Sequence, residues 1–152
     1  MKRPYHKRGK EASLIVIGSV AIDISAIIWT DIEVTSFIAR DGGKIKIGAN
    51  TFINNGVWIR SALLVSIGND CNIGPRVMIM DNDAHEIEGK HIPGGEMESV
   101  IIEDNVWIGA GAIILKGVHI GKNSIVGAGS VVTTHISQNM IVAGNPVRSI
   151  RK

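Results

Sequence analysis

Aliphatic residues recur along this chain at every sixth position. From Ile102 the series runs through Ile108, Ile114, Ile120, Val126 and Val132, and a small or branched residue stands four places after each of the first five: Val106, Ala112, Val118, Ser124 and Ser130. The same spacing recovers Ile47, Ile53 and Ile59, then Ile67, Ile73 and Ile79, and with weaker definition Val16, Ile22, Ile28 and Val34. Such a period is neither that of an amphipathic helix, about 3.6 residues, nor the plain alternation of one long strand. It fits short parallel strands joined by tight corners. Each hexapeptide then supplies one face of a triangular prism, with the aliphatic column inside and the small residue filling the corner. Three hexapeptides close a coil, and coils stack at the strand spacing of about 4.8 Å.

Interruptions of the period locate the irregular parts. The column slips by one residue across "RDGGK" and by two across "LLVSI", and a long insertion separates Ile79 from Ile102. Insertions in a solenoid belong at corners. The pattern therefore predicts an all-β, parallel β-helix of about five coils over residues 14–135, with a projecting loop at 81–99 that carries Gly89, Pro93, Gly94 and Gly95. A basic arm precedes it at 1–13, and residues 136–152 leave the period as a cap.

Composition agrees with a narrow core. Hydrophobic residues make up 45% of the 152 residues, aromatics 4%, and there are 18 glycines, which permit the positive φ that tight corners need. The formal net charge is +2, with the basic residues concentrated in "MKRPYHKRGK" and "NPVRSIRK". That is not the basic stripe of a nucleic-acid-binding face, so no nucleic-acid partner is expected. Cys71 is the one cysteine, which rules out an intrachain disulfide and fits a reducing compartment. The basic start followed by "ASLIVIGSVAI" imitates a signal peptide, but Asp23, Asp31 and Glu33 break the next stretch and the aliphatics keep the hexad. No uncharged run reaches the roughly 18 residues of a membrane span. The expectation is a soluble cytoplasmic protein with no membrane insertion.

The stretches "IGANTFINNGVWI", "IGNDCNIGPRVMIMDNDAH", "IIEDNVWIGAGAIILKGVHIGKNSIVGAGSVVT" and "VAGNPVRSIRK" resemble the hexapeptide-repeat acyltransferases, in particular the maltose, galactoside and nodulation O-acetyltransferases and their polysaccharide-biosynthesis relatives. The resemblance covers residues 47–152. It implies a left-handed coil, a homotrimer with active sites between subunits, and acetyl transfer from acetyl-CoA to a saccharide hydroxyl without a metal. Handedness comes from the resemblance alone, since periodicity is silent on it. The repeat also serves γ-type carbonic anhydrases, and it is the "NVWIG" turn and the terminal "GNPVRSIRK" that narrow the likeness to acyl transfer.

Thioester-to-hydroxyl transfer needs a base, donors for an oxyanion and a channel for the thioester arm. By resemblance, His85 in "MDNDAH" is the general base, an imidazole being largely neutral near pH 7. Asn54, or Asn55 beside it if the register shifts by one, matches an asparagine of the acceptor pocket, and the Ala110 backbone amide an oxyanion donor. Trp107 lies outward by strand alternation and lines a cleft or packs between subunits. Gly127, Ala128, Thr133, Thr134, Arg148 and Arg151 match positions along the coenzyme A arm and its phosphates, guanidinium groups being suited to phosphate. Asp81 and Asp83 are candidates for orienting the histidine or binding a sugar hydroxyl, or are ordinary turn acids. Two departures stand out. Thr134 replaces a frequent lysine, and "WIRSAL" puts Arg60 and Ser61 where relatives commonly end the strand with aspartate, which implies a different acceptor pocket.

Three rival readings fit parts of the pattern. N-acetylation of an amino or nucleotide sugar would use the same frame. A zinc hydratase would need three converging ligands, and the spacing of His85, His91 and His119 does not match that pattern. A noncatalytic scaffold would use the flat faces alone. "GAG" at Gly109 and Gly127 lacks the third glycine and the helix of a dinucleotide fingerprint.

Overall fold

The computed structural model describes residues 14–40, 42–84 and 95–151, and of Arg151 the backbone alone. Each coil contributes one short strand to each of three faces. The first coil holds β1 (Leu14–Ile17), β2 (Ser19–Ile22) and β3 (Ile27–Ile28), and the second β4 (Thr35–Ala39), β5 (Lys44–Ile47) and β6 (Phe52–Ile53). The third holds β7 (Trp58–Ser61), β8 (Leu64–Ile67) and β9 (Asn72–Ile73), and the fourth β10 (Met78–Met80), β11 (Val100–Ile102) and β12 (Trp107–Ile108). The fifth comprises β13 (Ile113–Ile114), β14 (His119–Ile120) and β15 (Ile125–Val126). A shortened sixth follows with β16 (Val131–Val132), a single bridge from Ile136 to Ile120, and β17 (Ile141–Gly144).

Pairing is parallel between every third strand: β1-β4-β7-β10-β13-β16 form face one, β2-β5-β8-β11-β14 face two, and β3-β6-β9-β12-β15-β17 face three. The column residues lie directly over one another, as in Ile59 with Ile79 and Ile79 with Ile114. They are sealed from solvent: Ile53, Ile59, Ile79, Ile108, Ile114, Ile120, Val126 and Val132 are all 0% exposed. Burying each such side chain contributes roughly 1.5–3 kcal/mol, so the column is the main source of stability.

The structure alters the reading in three places. Val34 is not a column residue, being 50% exposed; Phe37, fully buried and paired with Val16 and Ile59, takes that position. The cause is a longer corner, residues 29–34, which delays the next strand. The coiling also continues past residue 135, since β17 extends face three beside β15. Only β18 (Val147–Arg151) caps the stack, folding back antiparallel on β17.

The third concerns the glycines in register. Positive φ falls instead two places later in each corner, on Asn50, Asp70, Asn105, Asn123 and Asn139 along one edge, at 55–62°. Their side chains form hydrogen-bonded rungs, Asn105 Nδ2 to Asn123 Oδ1 at 3.0 Å and Asn123 Nδ2 to Asn139 Oδ1 at 2.9 Å. The register glycines answer a different need, close stacking. A Cβ on Gly109 would stand 2.5 Å from the Ala128 nitrogen, and one on Gly74 2.7 Å from the Ala110 nitrogen. No helix among the described residues is long and apolar enough to cross a membrane.

Candidate active site

The edge between faces three and one is built from successive corners, Asn54–Gly56, Gly74–Arg76, Gly109–Gly111 and Gly127–Gly129. Asn54, Gly74, Gly109 and Gly127 occupy the same place, each donating its backbone N–H to the column residue of the next coil. Asn54 is therefore a side chain where the following three coils have none, and it overhangs a trough that the glycines leave open. The next position reads Asn55, Pro75, Ala110, Ala128. The Asn55 N–H is taken by Asn54 Oδ1 at 2.8 Å, and proline has no N–H. Among the described residues nothing accepts from the N–H of Ala110 or Ala128. Two backbone donors are thus open along one edge.

These residues line a groove of ≈ 710 Å³ that runs beneath Phe52 and Asn54, past Trp107 and Ala110, to Gly127 and Ala128. Trp107 is 54% exposed and forms part of its wall. A second cavity of ≈ 450 Å³ shares Asn54, Pro75 and Ala110 and adds Ile32, Glu33, Asn55 and Arg76. The long corner before β4 roofs it. Glu33 reaches Arg76 across Gly56, where a Cβ would meet the Glu33 carboxylate, and the Arg76 Nε lies 2.8 Å and 2.9 Å from the two carboxylate oxygens. The Arg76 hydrogen bond holds the Glu33 carboxyl below the usual carboxylate range. A depressed carboxyl contributes above its unfolded value and is lost as pH falls through the folded one, so the clasp persists at neutral pH and opens in acid.

A relay fixes Asn54. The Ile32 N–H donates to Asn55 Oδ1 at 3.0 Å, and Asn55 donates to Asn54 Oδ1 from its backbone N–H at 2.8 Å and from Nδ2 at 3.2 Å. Backbone N–H groups only donate, so both amide orientations are determined. The Asn54 Nδ2 protons have no acceptor among the described residues and remain available to a ligand. Sequence reasoning missed Ile32, Glu33 and Arg76, and it held Asn55 only as the alternative register for Asn54.

Five of the expected residues, Asn54, Trp107, Ala110, Gly127 and Ala128, come together in this groove. Arg148 continues its line, paired with Ala143 beyond Gly127, while its Nη1 donates to the Val147 carbonyl at 3.0 Å. The Arg151 side chain lies outside the described residues, and so does His85. Thr133 and Thr134 are exposed at the opposite edge, between faces one and two. The stem of the 81–99 loop rises from that same edge, closed by a bridge between Asn82 and Met97. Six residues reach about 20 Å at most, so within one chain a whole face separates this edge from the groove.

Asp81 corrects the sequence reading as a sugar ligand. It is 0% exposed and accepts from Ser61 Oγ at 2.7 Å, the Ala62 N–H at 2.8 Å, the Leu63 N–H at 2.9 Å and Asn82 Nδ2 at 2.9 Å. Its carboxylate ties the preceding corner to the loop stem and has nothing left for a ligand. Asp83 is partly exposed and pairs with Lys116 Nζ at 2.6 Å; the same Nζ binds Glu96 at 2.9 Å, so one lysine pins both sides of the stem. Among the described residues no group of three His, Cys, Asp or Glu side chains is arranged to hold a metal.

Stacked hexapeptide coils with small-residue corners define a β-solenoid of the left-handed β-helix class. The family model described as bacterial transferase hexapeptide (six repeats) matches residues 99–134. Galactoside O-acetyltransferase of Lactococcus lactis subsp. lactis (strain IL1403) is 39% identical over 119 residues, 76% of this chain and 57% of that protein. Among solved structures, a galactoside acetyltransferase in complex with coenzyme A superposes with a TM-score of 0.67 at 30% identity, covering 90% of this chain and 65% of that one. The polySia-specific acetyltransferase NeuO superposes with a TM-score of 0.70 at 25% identity, covering 97% and 85%. The chain is similar to the hexapeptide-repeat acyltransferases, and its residues 99–134 carry the hexapeptide repeat of bacterial transferases. It spans little more than half the length of the curated relatives it matches.

Proposed function

We propose that the protein is an acetyl-CoA-dependent O-acetyltransferase that modifies a saccharide hydroxyl, in the cytoplasm, in the assembly or modification of surface polysaccharide. The observation that carries this is the open Ala110 N–H, set in a glycine-floored groove beside the free amide protons of Asn54. A thioester arm lying along Gly127 and Ala128 would meet the Ala128 N–H and bring its carbonyl to Ala110, with Arg148 and Arg151 toward its phosphates. The coenzyme A complex of a relative and the sugar-directed names of the relatives support both substrates.

In this mechanism His85 removes the proton of the acceptor hydroxyl as its oxygen forms a bond to the thioester carbonyl carbon. The carbonyl oxygen becomes an oxyanion held by the Ala110 N–H. Collapse breaks the carbon–sulfur bond, and the imidazolium returns its proton to the leaving thiolate. The stem of the loop that carries His85 and the groove lie on different edges of one prism, so in this proposal the loop of a neighbouring subunit completes the site in a trimer. His85→Ala is expected to lower acceptor-dependent thiol release from acetyl-CoA by roughly 10²–10⁴-fold, with coenzyme A binding retained. Undiminished release would remove His85 from the mechanism, and failure to bind coenzyme A would remove the acyltransferase reading.

A further inference from the structure

We infer that Arg60 is an anion-recognition residue and that the acceptor is an acidic saccharide, one bearing a carboxylate or a phosphate; this rests on the acetyltransferase reading. Arg60 points outward from β7 between Ile38 of β4 and Met80 of β10, and its guanidinium carbon stands 4.5 Å from the centre of the Trp58 ring. Its other outward neighbours on face one are Ser36, Met78, Ile113 and Val131, all uncharged. The Nε atom is buried without a hydrogen-bond partner, and none of the guanidinium donors has an acceptor among the described residues.

The acids nearby do not serve it. Asp81 is buried under four hydrogen bonds, and Asp83 and Glu96 are held by Lys116. Glu98 lies over Gly117, at the same edge. Lys116 and Arg60 are thus treated differently: Lys116 has two carboxylates, and Arg60 has none among the described residues. Partial desolvation on an apolar face strengthens the pull of a cation on an incoming anion, because less water competes. The planar guanidinium, set over the Trp58 ring, suits the paired oxygens of a carboxylate or phosphate.

Position links the charge to the reaction. Arg60 pairs with Met80, and the Asp81 N–H points at the Arg60 carbonyl at 3.4 Å, so the arginine sits at the root of the loop that carries His85. An acceptor whose hydroxyl meets that loop would bring an acidic substituent within reach of Arg60.

The test compares wild type with Arg60→Met and Arg60→Lys on matched acceptors: a neutral glycoside, its uronic acid counterpart and a sugar phosphate. Acceptor-dependent thiol release is measured, together with calorimetric binding of the same saccharides to enzyme saturated with coenzyme A. Wild type is expected to favour an acidic acceptor by roughly tenfold in kcat/KM. Arg60→Met should erase that preference while leaving the neutral acceptor and the KM for acetyl-CoA unchanged, with Arg60→Lys intermediate. The uronic acid and phosphate arms identify which anion is meant. No acidic preference in turnover or binding overturns the inference. So does an equal loss on neutral and acidic acceptors, which would make Arg60 structural, or a rise confined to the acetyl-CoA KM, which would assign it to the cosubstrate phosphates. If coenzyme A does not bind at all, the parent reading fails instead.

Discussion

Asn54 and Asn55 are adjacent and chemically identical, yet the backbone gives them opposite duties. Asn55 is almost fully buried and occupied on both ends of its amide, whereas Asn54 offers its nitrogen to the groove. On the proposed mechanism Asn55 is therefore a positioning residue for Asn54. Asn55→Leu is expected to lower kcat roughly tenfold to a hundredfold, since misplaced catalytic groups carry costs of that order, with the KM for acetyl-CoA nearly unchanged. A proportional loss of folded protein with normal kcat would assign Asn55 to stability alone. The resemblance made Asn54 legible. Asn55 was legible only as an alternative register for it; its own duty was not, because its partner is the N–H of Ile32, twenty-three residues away and brought close only by coiling. The glycines were visible as a register but were read as φ-permissive; the requirement is steric, and it arises between coils rather than within one.

Among the elements, the strands were legible wherever the hexad was clean. The misplaced column residue, Val34 for Phe37, arose where six corner residues replace the usual few, and periodicity carries no rule for corner length. The 81–99 loop was recognised as an insertion, but the chemistry of its root was not. Asp81 takes two backbone N–H groups on different oxygens, Ala62 on Oδ1 and Leu63 on Oδ2. An asparagine there would turn its NH₂ against one N–H or the other in either orientation. Asp81→Asn is accordingly expected to destabilise the fold by about 3 kcal/mol, close to the effect of Asp81→Ala. Urea unfolding followed by circular dichroism checks this, and a near-neutral asparagine variant would contradict the buried corner role.

For the whole molecule, the outer faces differ in character. Face one carries Trp58, Met78 and Ile113, with Arg60 at its margin beside the root of the 81–99 loop, and face three Trp29, Phe52 and Trp107, whereas face two shows Lys44, Lys46, Ser66 and His119. Two apolar faces beside a polar one favour head-to-tail packing of face one on face three, which closes as a ring. Light scattering is expected to give three times the chain mass, and His85→Ala mixed with a groove-blocked Ala128→Trp variant should regain activity in shared sites. A monomer that is fully active would refute the shared site. The number of subunits was never legible in the hexad, which describes the inside of a prism and not its neighbours.

The regular stacking also makes the molecule a ruler. Ala110 and Ala128 are one coil apart, so the distance from the reacting carbonyl to the basic C-terminus is counted in steps of about 4.8 Å. Inserting one further coil of eighteen residues between Gly111 and Gly127 would preserve every corner and every column. Under the proposed acyl transfer it would also lengthen the thioester arm that fits the groove, so that coil number would set the reach of the cosubstrate.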